Sequence, residues 1–183
     1  MKIKDTIVQF VCYETTMNTE EFIVQWERFT KRFLNKGIEV TLQEQIQLKN
    51  KFRFVSRNVW PQDSFQFVFM EGRLSHNFPE GHVKVVEAGG YTPLQVQCNH
   101  AKGDMVKIMV FSKNHQTDIE AYKKMTGYRY LNIYEAYYES CRYVYILEFF
   151  VKESEVNAIR EQLDQQNNLA EIGVYKEYAM LAV

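Results

Sequence analysis

The stretch Arg57-Asn58-Val59-Trp60-Pro61 puts a guanidinium, an amide and an indole next to one another. On a strand successive side chains alternate between faces, so Phe52, Phe54, Ser56, Asn58 and Trp60 share one face and Arg53, Val55, Arg57 and Val59 the other. An amide and an indole on an otherwise aromatic face can orient a flat ligand by hydrogen bonding and stacking, with Phe54 as part of the lining. The plainer reading makes Trp60 a core or strand-end anchor and Asn58 the start of a turn. His76, Glu80 and His82 form H-x-x-x-E-x-H, two imidazoles and a carboxylate of the kind that hold a divalent metal or supply an axial haem ligand. The stretch reads as a loop without the fixed geometry of a helical pair, so solvated histidines are the commoner outcome and no metal site is assigned. Glu87-Ala88-Gly89-Gly90-Tyr91 offers paired glycines, which permit close backbone approach to a ligand, with Tyr91 beside them. A turn into the next strand explains the same pair.

Other signals are absent or weak. His100, two residues from Cys98, falls in a linker, and His115 precedes a helix cap. The tyrosines at 122, 128, 130, 134, 137, 138, 143 and 145 suit a ligand lining, an interface or plain cross-strand packing. There is no G-x-S-x-G, no P-loop, and no G-x-G-x-x-G between a strand and a helix.

These residues need elements to position them, and the elements read as one plan written twice, about 99 residues apart. Ile7, Phe10 and Val11 lie in an apolar run; Val106, Met109 and Val110 lie in its counterpart. Asn18 and Glu21 form a capping box, followed by Phe22, Trp26, Phe29 and Phe33 as a helical stripe that Gly37 closes. Strands are expected over 38–48, 51–60, 65–70 and 91–97. The stretch 72–90, with its glycines and Pro79, reads as a loop standing where a second helix would be. After a polar linker, strands are expected over 105–112, 128–139, 142–151 and 171–182. Thr117 with Glu120 caps one intervening helix, and Ser154 caps the other.

The fold class is therefore α+β: two tandem ferredoxin-like βαββαβ halves, residues 1–98 and 105–183, with antiparallel sheets packed as one body. A chain of 183 residues buries roughly 70% of its unfolded surface and needs no staples. The three cysteines, widely spaced and without C-x-x-C, point away from a disulfide framework and toward a reducing cytoplasm. With 22 basic and 23 acidic residues interspersed, nothing attracts a polyanion. The run Ser64–Met70 lacks the basic residue and glycine that open an RNA-recognition signature, so nucleic acid is excluded as a partner. No run reaches the length of a membrane span.

Two such halves in tandem resemble the dimeric α+β barrel superfamily, as a fused duplication. The resemblance covers essentially the whole chain and rests on element order. That superfamily includes cofactor-free monooxygenases of aromatic or quinone-like compounds, haem-binding and haem-degrading proteins, small isomerases, and members without known activity. The resemblance implies a pocket between sheet and helices in each half. It also implies a small hydrophobic or aromatic ligand, no obligatory cofactor with haem as the variant, and a homodimer as the assembly to test. Under this reading Asn58 and Trp60 position the substrate, Arg57 or His82 stabilises an enolate-type anion, and Phe54 and Tyr91 line the site. The alternation above sets Arg57 on the face opposite Asn58. The alternative is a non-enzymatic ligand-binding or assembly module.

Overall fold

The computed structural model describes residues 6–34, 37–47, 50–70, 81–166 and 170–181. The first half runs β1 (Thr6–Thr15), α1 (Thr19–Leu34), β2 (Glu39–Gln47), β3 (Phe54–Pro61), α2 (Gln62–Met70) and β4 (Val83–Gln95). The second runs β5 (Met105–Ser112), α3 (Ile119–Lys123), β6 (Tyr130–Ala136), β7 (Tyr145–Lys152), α4 (Val156–Gln165) and β8 (Ala170–Leu181). The strands close into one antiparallel barrel in the order β1-β3-β2-β8-β5-β7-β6-β4. Each half contributes four consecutive staves, and the halves meet where β2 pairs β8 and β4 pairs β6. Closure leaves no open sheet edge.

Local chemistry explains the main helix. The Glu21 amide donates to Asn18 Oδ1 at 2.9 Å and the Asn18 amide donates to Glu21 Oε2 at 3.4 Å, so the capping box forms. Phe22, Trp26 and Phe29 are buried along one stripe, and Gly37 takes φ +73° after the helix. The apolar side chains divide into three bodies. Alternate strand residues fill the lumen, around Phe10, Met109, Phe111 and Ile146. The outward alternates pack under α1 and α2 in the first half and under α3 and α4 in the second.

Four local expectations are corrected. Residues 65–70, expected as a strand, belong to α2; Phe65 is fully buried and packs edge-on to Trp60, so tertiary packing overrides the strand preference of an aromatic run. The first half thus has its second helix, ahead of the stretch where a loop stood in for it. Gly89 and Gly90 lie inside β4, not in a turn. A Cβ on Gly90 would stand 2.6 Å from Phe65 Cζ, and one on Gly89 would collide with the Glu87 carboxylate, so the pair serves close packing on both faces of the strand. At α3 the cap is Asp118, whose Oδ1 accepts from the Ala121 amide at 3.0 Å, while the Thr117 hydroxyl turns to Ser112 at 2.7 Å. Ser154 lies in a single 3₁₀ turn, Glu153–Glu155, and caps nothing. His76 and Glu80 lie outside the described residues.

The strand registers superimpose the halves. Gln9 pairs Asn58 as Ile108 pairs Phe149, and Phe10 lies opposite Arg57 and Gly89 as Met109 lies opposite Glu148 and Gly173.

Candidate functional site

β3 presents different chemistry on its two faces. Toward α1 it turns Phe54, Ser56, Asn58 and Trp60. Asn58 Nδ2 donates to Gln9 Oε1 at 2.9 Å, Trp60 Nε1 donates to the same oxygen at 3.2 Å, and Ser56 Oγ donates to Asn58 Oδ1 at 2.6 Å. Gln9, from the neighbouring β1, is 1% exposed, and its Nε2 has no hydrogen-bond partner among the described residues. A cavity of about 10 Å³ lies among Gln9, Phe29, Thr30, Phe33, Asn58 and Trp60, room for about one water. Phe54 is stacked on Phe22, ring centroids 4.1 Å apart. Asn58, Trp60 and Phe54 are thus brought together as expected, and Gln9 joins them at the centre. Its signal in the sequence was an amide at an alternate position of an otherwise apolar run.

Toward the lumen β3 turns Arg57, which the structure separates from Asn58. Arg57 Nε donates to Tyr134 Oη at 3.3 Å and lies 3.7 Å from Glu148 Oε2, with Glu39 3.8 Å from Nη1. Glu148 is fully buried. It accepts from Asn132 Nδ2 at 3.0 Å and from Tyr134 Oη at 2.9 Å, and Lys107 Nζ stands 3.5 Å away. Lys107 also reaches Glu177 at 2.6 Å, and His100 sits between Glu39 at 3.2 Å and Glu177 at 3.6 Å. Burial alone would raise the Glu148 carboxyl, but Lys107 and Arg57 outweigh it and hold the carboxyl below its usual range. For Arg57, burial works against the charge, and Tyr134, Glu148 and Glu39 overcome it. Lys107 and Glu148 went unread as a pair, although each is a lone charge inside an apolar strand. Such a charge needs a partner across the barrel, and no sequence spacing shows one.

Tyr91 also faces the lumen, nearer the other end. Its hydroxyl donates to Glu87 Oε1 at 3.1 Å, and Glu87 Oε2 accepts from the Arg142 amide at 3.1 Å. Burial raises the Glu87 carboxyl against those hydrogen bonds. Glu87-x-Gly89-x-Tyr91 recurs as Glu171-x-Gly173-x-Tyr175 at the matching place in β8. In both copies the glycine makes room for the tyrosine ring two residues on. The repeat is legible in the chain and marks packing.

His82 is exposed at the start of β4, where Thr15 Oγ1 donates to its carbonyl at 2.9 Å. Thr15 and Ile7, opposite Trp60, are eight residues apart on β1, about 26 Å at strand rise, so His82 does not join Asn58 and Trp60. Among the described residues no three His, Cys, Asp or Glu side chains gather to hold a metal ion. Haem needs an axial imidazole, thiolate, thioether or phenolate. Of the described histidines, His82 and His115 are exposed and His100 lies between Glu39 and Glu177; the phenols and thioethers of the helix-covered layers are Tyr13, Met17, Tyr137 and Tyr138 in the first and Tyr122, Met125, Tyr128 and Tyr145 in the second, and the cavity described in the first has room for about one water. These residues do not fit a haem. Among the described residues no helix is long and apolar enough to cross a membrane.

No protein-family model matches this chain, and no curated protein sequence matches it. Solved structures do. An anthrone oxidase-like protein superimposes with TM-score 0.64 at 11% identity, over 99% of this chain and 95% of the other. A mutant chlorite dismutase from Candidatus Nitrospira defluvii gives 0.58 at 11% identity, over 94% and 92%. A monooxygenase candidate from Lactobacillus acidophilus NCFM gives 0.53 at 9% identity, over 97% and 96%. The fold is therefore a closed α+β barrel like that of chlorite dismutase and the anthrone oxidase-like protein, formed within one chain.

Proposed function

We propose that this protein is a small-molecule-binding α+β barrel that works as a cofactor-independent monooxygenase on a flat aromatic or quinone-forming compound, at the layer between β1, β3 and α1. The halves 1–98 and 105–183 are the two copies of a tandem duplication, and the first carries the site. The observation behind this reading is the Gln9–Asn58–Trp60 cluster. Its amides and indole lie among aromatic rings on a buried face, with the Gln9 Nε2 donor unused. Likeness in fold to an anthrone oxidase-like protein and a monooxygenase candidate supports the choice of chemistry.

Among the described residues no carboxylate or imidazole lines the cavity, so its role is to hold an enolised substrate, not to abstract the proton. Amide N–H donors aimed at an enolate oxygen stabilise its charge in a site that excludes water. With anthrone as substrate, the methylene carbon loses two hydrogens and gains one oxygen atom of O₂; the second oxygen leaves as water with those hydrogens, and anthraquinone remains. Phe29 and Phe33 border the cavity, and admitting the rings requires them to swing out. Arg57 and His82 take no part.

The test is oxygen uptake with anthraquinone absorbance on adding anthrone. Turnover that drops in Asn58→Ala and Trp60→Phe, with unchanged circular dichroism, supports the site. Turnover unaffected in both variants sinks it.

A further inference from the structure

The other face of β3 lines a second cavity, of about 260 Å³, at the end of the barrel where β1 begins. Val8, Val59 and Val96 give it apolar walls; Arg57, Glu39 and Asn99 give it a polar edge. Arg57 is 1% exposed, yet its Nη1 has no hydrogen-bond partner among the described residues. Glu39 Oε1, 3.8 Å from it, is screened from solvent and likewise lacks one, since His100 Nε2 approaches at 3.2 Å without hydrogen-bond geometry. A buried donor and a buried acceptor thus stand side by side on a cavity wall, each unsatisfied, a rare and costly arrangement.

Charge decides what fits. Arg57 and Lys107 already face three carboxylates, Glu39, Glu148 and Glu177, so the local field disfavours another anion. An added cation would lie against the Arg57 guanidinium. What remains is a neutral edge bearing an acceptor next to a donor. The volume, just under the range of about 300–1,000 Å³ for drug-sized ligands, suits one ring or a fused pair.

We propose that this cavity binds a small neutral heterocycle with a lactam edge, whose carbonyl accepts from Arg57 Nη1 and whose N–H donates to Glu39 Oε1. Its ring lies against Val8, Val59 and Val96. The site is independent of the oxidation site, from which the β3 backbone separates it.

The experiment is saturation-transfer NMR on the full chain with α-pyridone, N-methyl-α-pyridone and benzoate as probes. α-Pyridone binds; the N-methyl compound, lacking the donor to a charged acceptor, binds at least ~10-fold more weakly. Val96→Trp fills the cavity and abolishes the signal with the melting transition intact. Should that variant fail to fold, Glu39→Gln, at a partly exposed side chain, carries the test by weakening α-pyridone. Absence of α-pyridone binding, equal binding of the N-methyl compound, insensitivity to both substitutions, or tighter binding of benzoate overturns the proposal. Trp60→Phe leaves α-pyridone binding unchanged, so the oxidation site and this one fail or stand separately.

Discussion

Superimposing the two halves by strand register contrasts their helix-covered layers residue by residue. Where the first half has Gln9, Ser56, Asn58 and Trp60, the second has Ile108, Leu147, Phe149 and Val151. All four second-half residues are buried among apolar side chains. The polar cluster is therefore not something the fold requires, because the same architecture is completed by aliphatic and aromatic packing one half away. The lumen differs in another way. There the equivalents are Arg57 and Glu148, and they touch each other at 3.7 Å. Two identical halves would set like charges together at that place. Opposite signs at the two places turn the junction into a pair, and favour this half against its own partner over two copies of the same half.

The largest effect is expected where the halves meet. Glu148→Gln leaves the Arg57 guanidinium buried without its main counter-ion, and we expect a loss of about 3–5 kcal/mol in denaturant unfolding at neutral pH. Its carboxyl is held below its usual value in the fold. The stability it contributes is therefore present above the unfolded value of about 4.3 and is lost as pH falls through the lower folded value. The gap between wild type and variant should close in acid; a gap of equal size at both pH values would break the account of the junction.

Next comes the first layer. Gln9→Met, which removes the unused donor, should lower anthrone turnover by about 10²–10³, the usual cost of one donor to a developing oxyanion. A smaller effect belongs to the second layer. Ile108→Gln places there the amide that the first half tolerates, without Gln9's partners, and should cost about 1–3 kcal/mol. A neutral outcome, read from melting temperature, would mean that the two layers are less different than their composition. The smallest effect is none at all: titration with hemin should leave the Soret band of free hemin unshifted, since the described residues of neither layer fit a haem.

Much of the architecture was readable because its signals are local. The capping box Asn18–Glu21, the stripe through Trp26 and the closing Gly37 all act within a few residues, and the doubled strand order followed from apolar runs at matching offsets. The misreadings came from packing between distant segments. Phe65 lies in a helix with its ring seated in the space that Gly90 of β4 leaves. Gly89 looked like a turn residue because the side chain it accommodates, Tyr91, shows its direction only once β4 is paired. In the candidate site, Asn58, Trp60 and Phe54 were placed on one face by alternation alone, and Arg57 on the other. Gln9 was missed because it lies on a different strand and meets Asn58 only through the register of β1 with β3.

The sequence by itself determined the class of fold and which residues of each strand share a face, since periodicity and capping are properties of short stretches of chain. Barrel closure decided the rest. It brought Arg57 to Glu148 across the lumen, while the pairing of neighbouring strands brought Lys107 to Glu177 and Gln9 to both Asn58 and Trp60. The energy of a buried charge or amide depends on which partner the closed sheet sets within hydrogen-bond distance, and that distance is a property of tertiary structure alone.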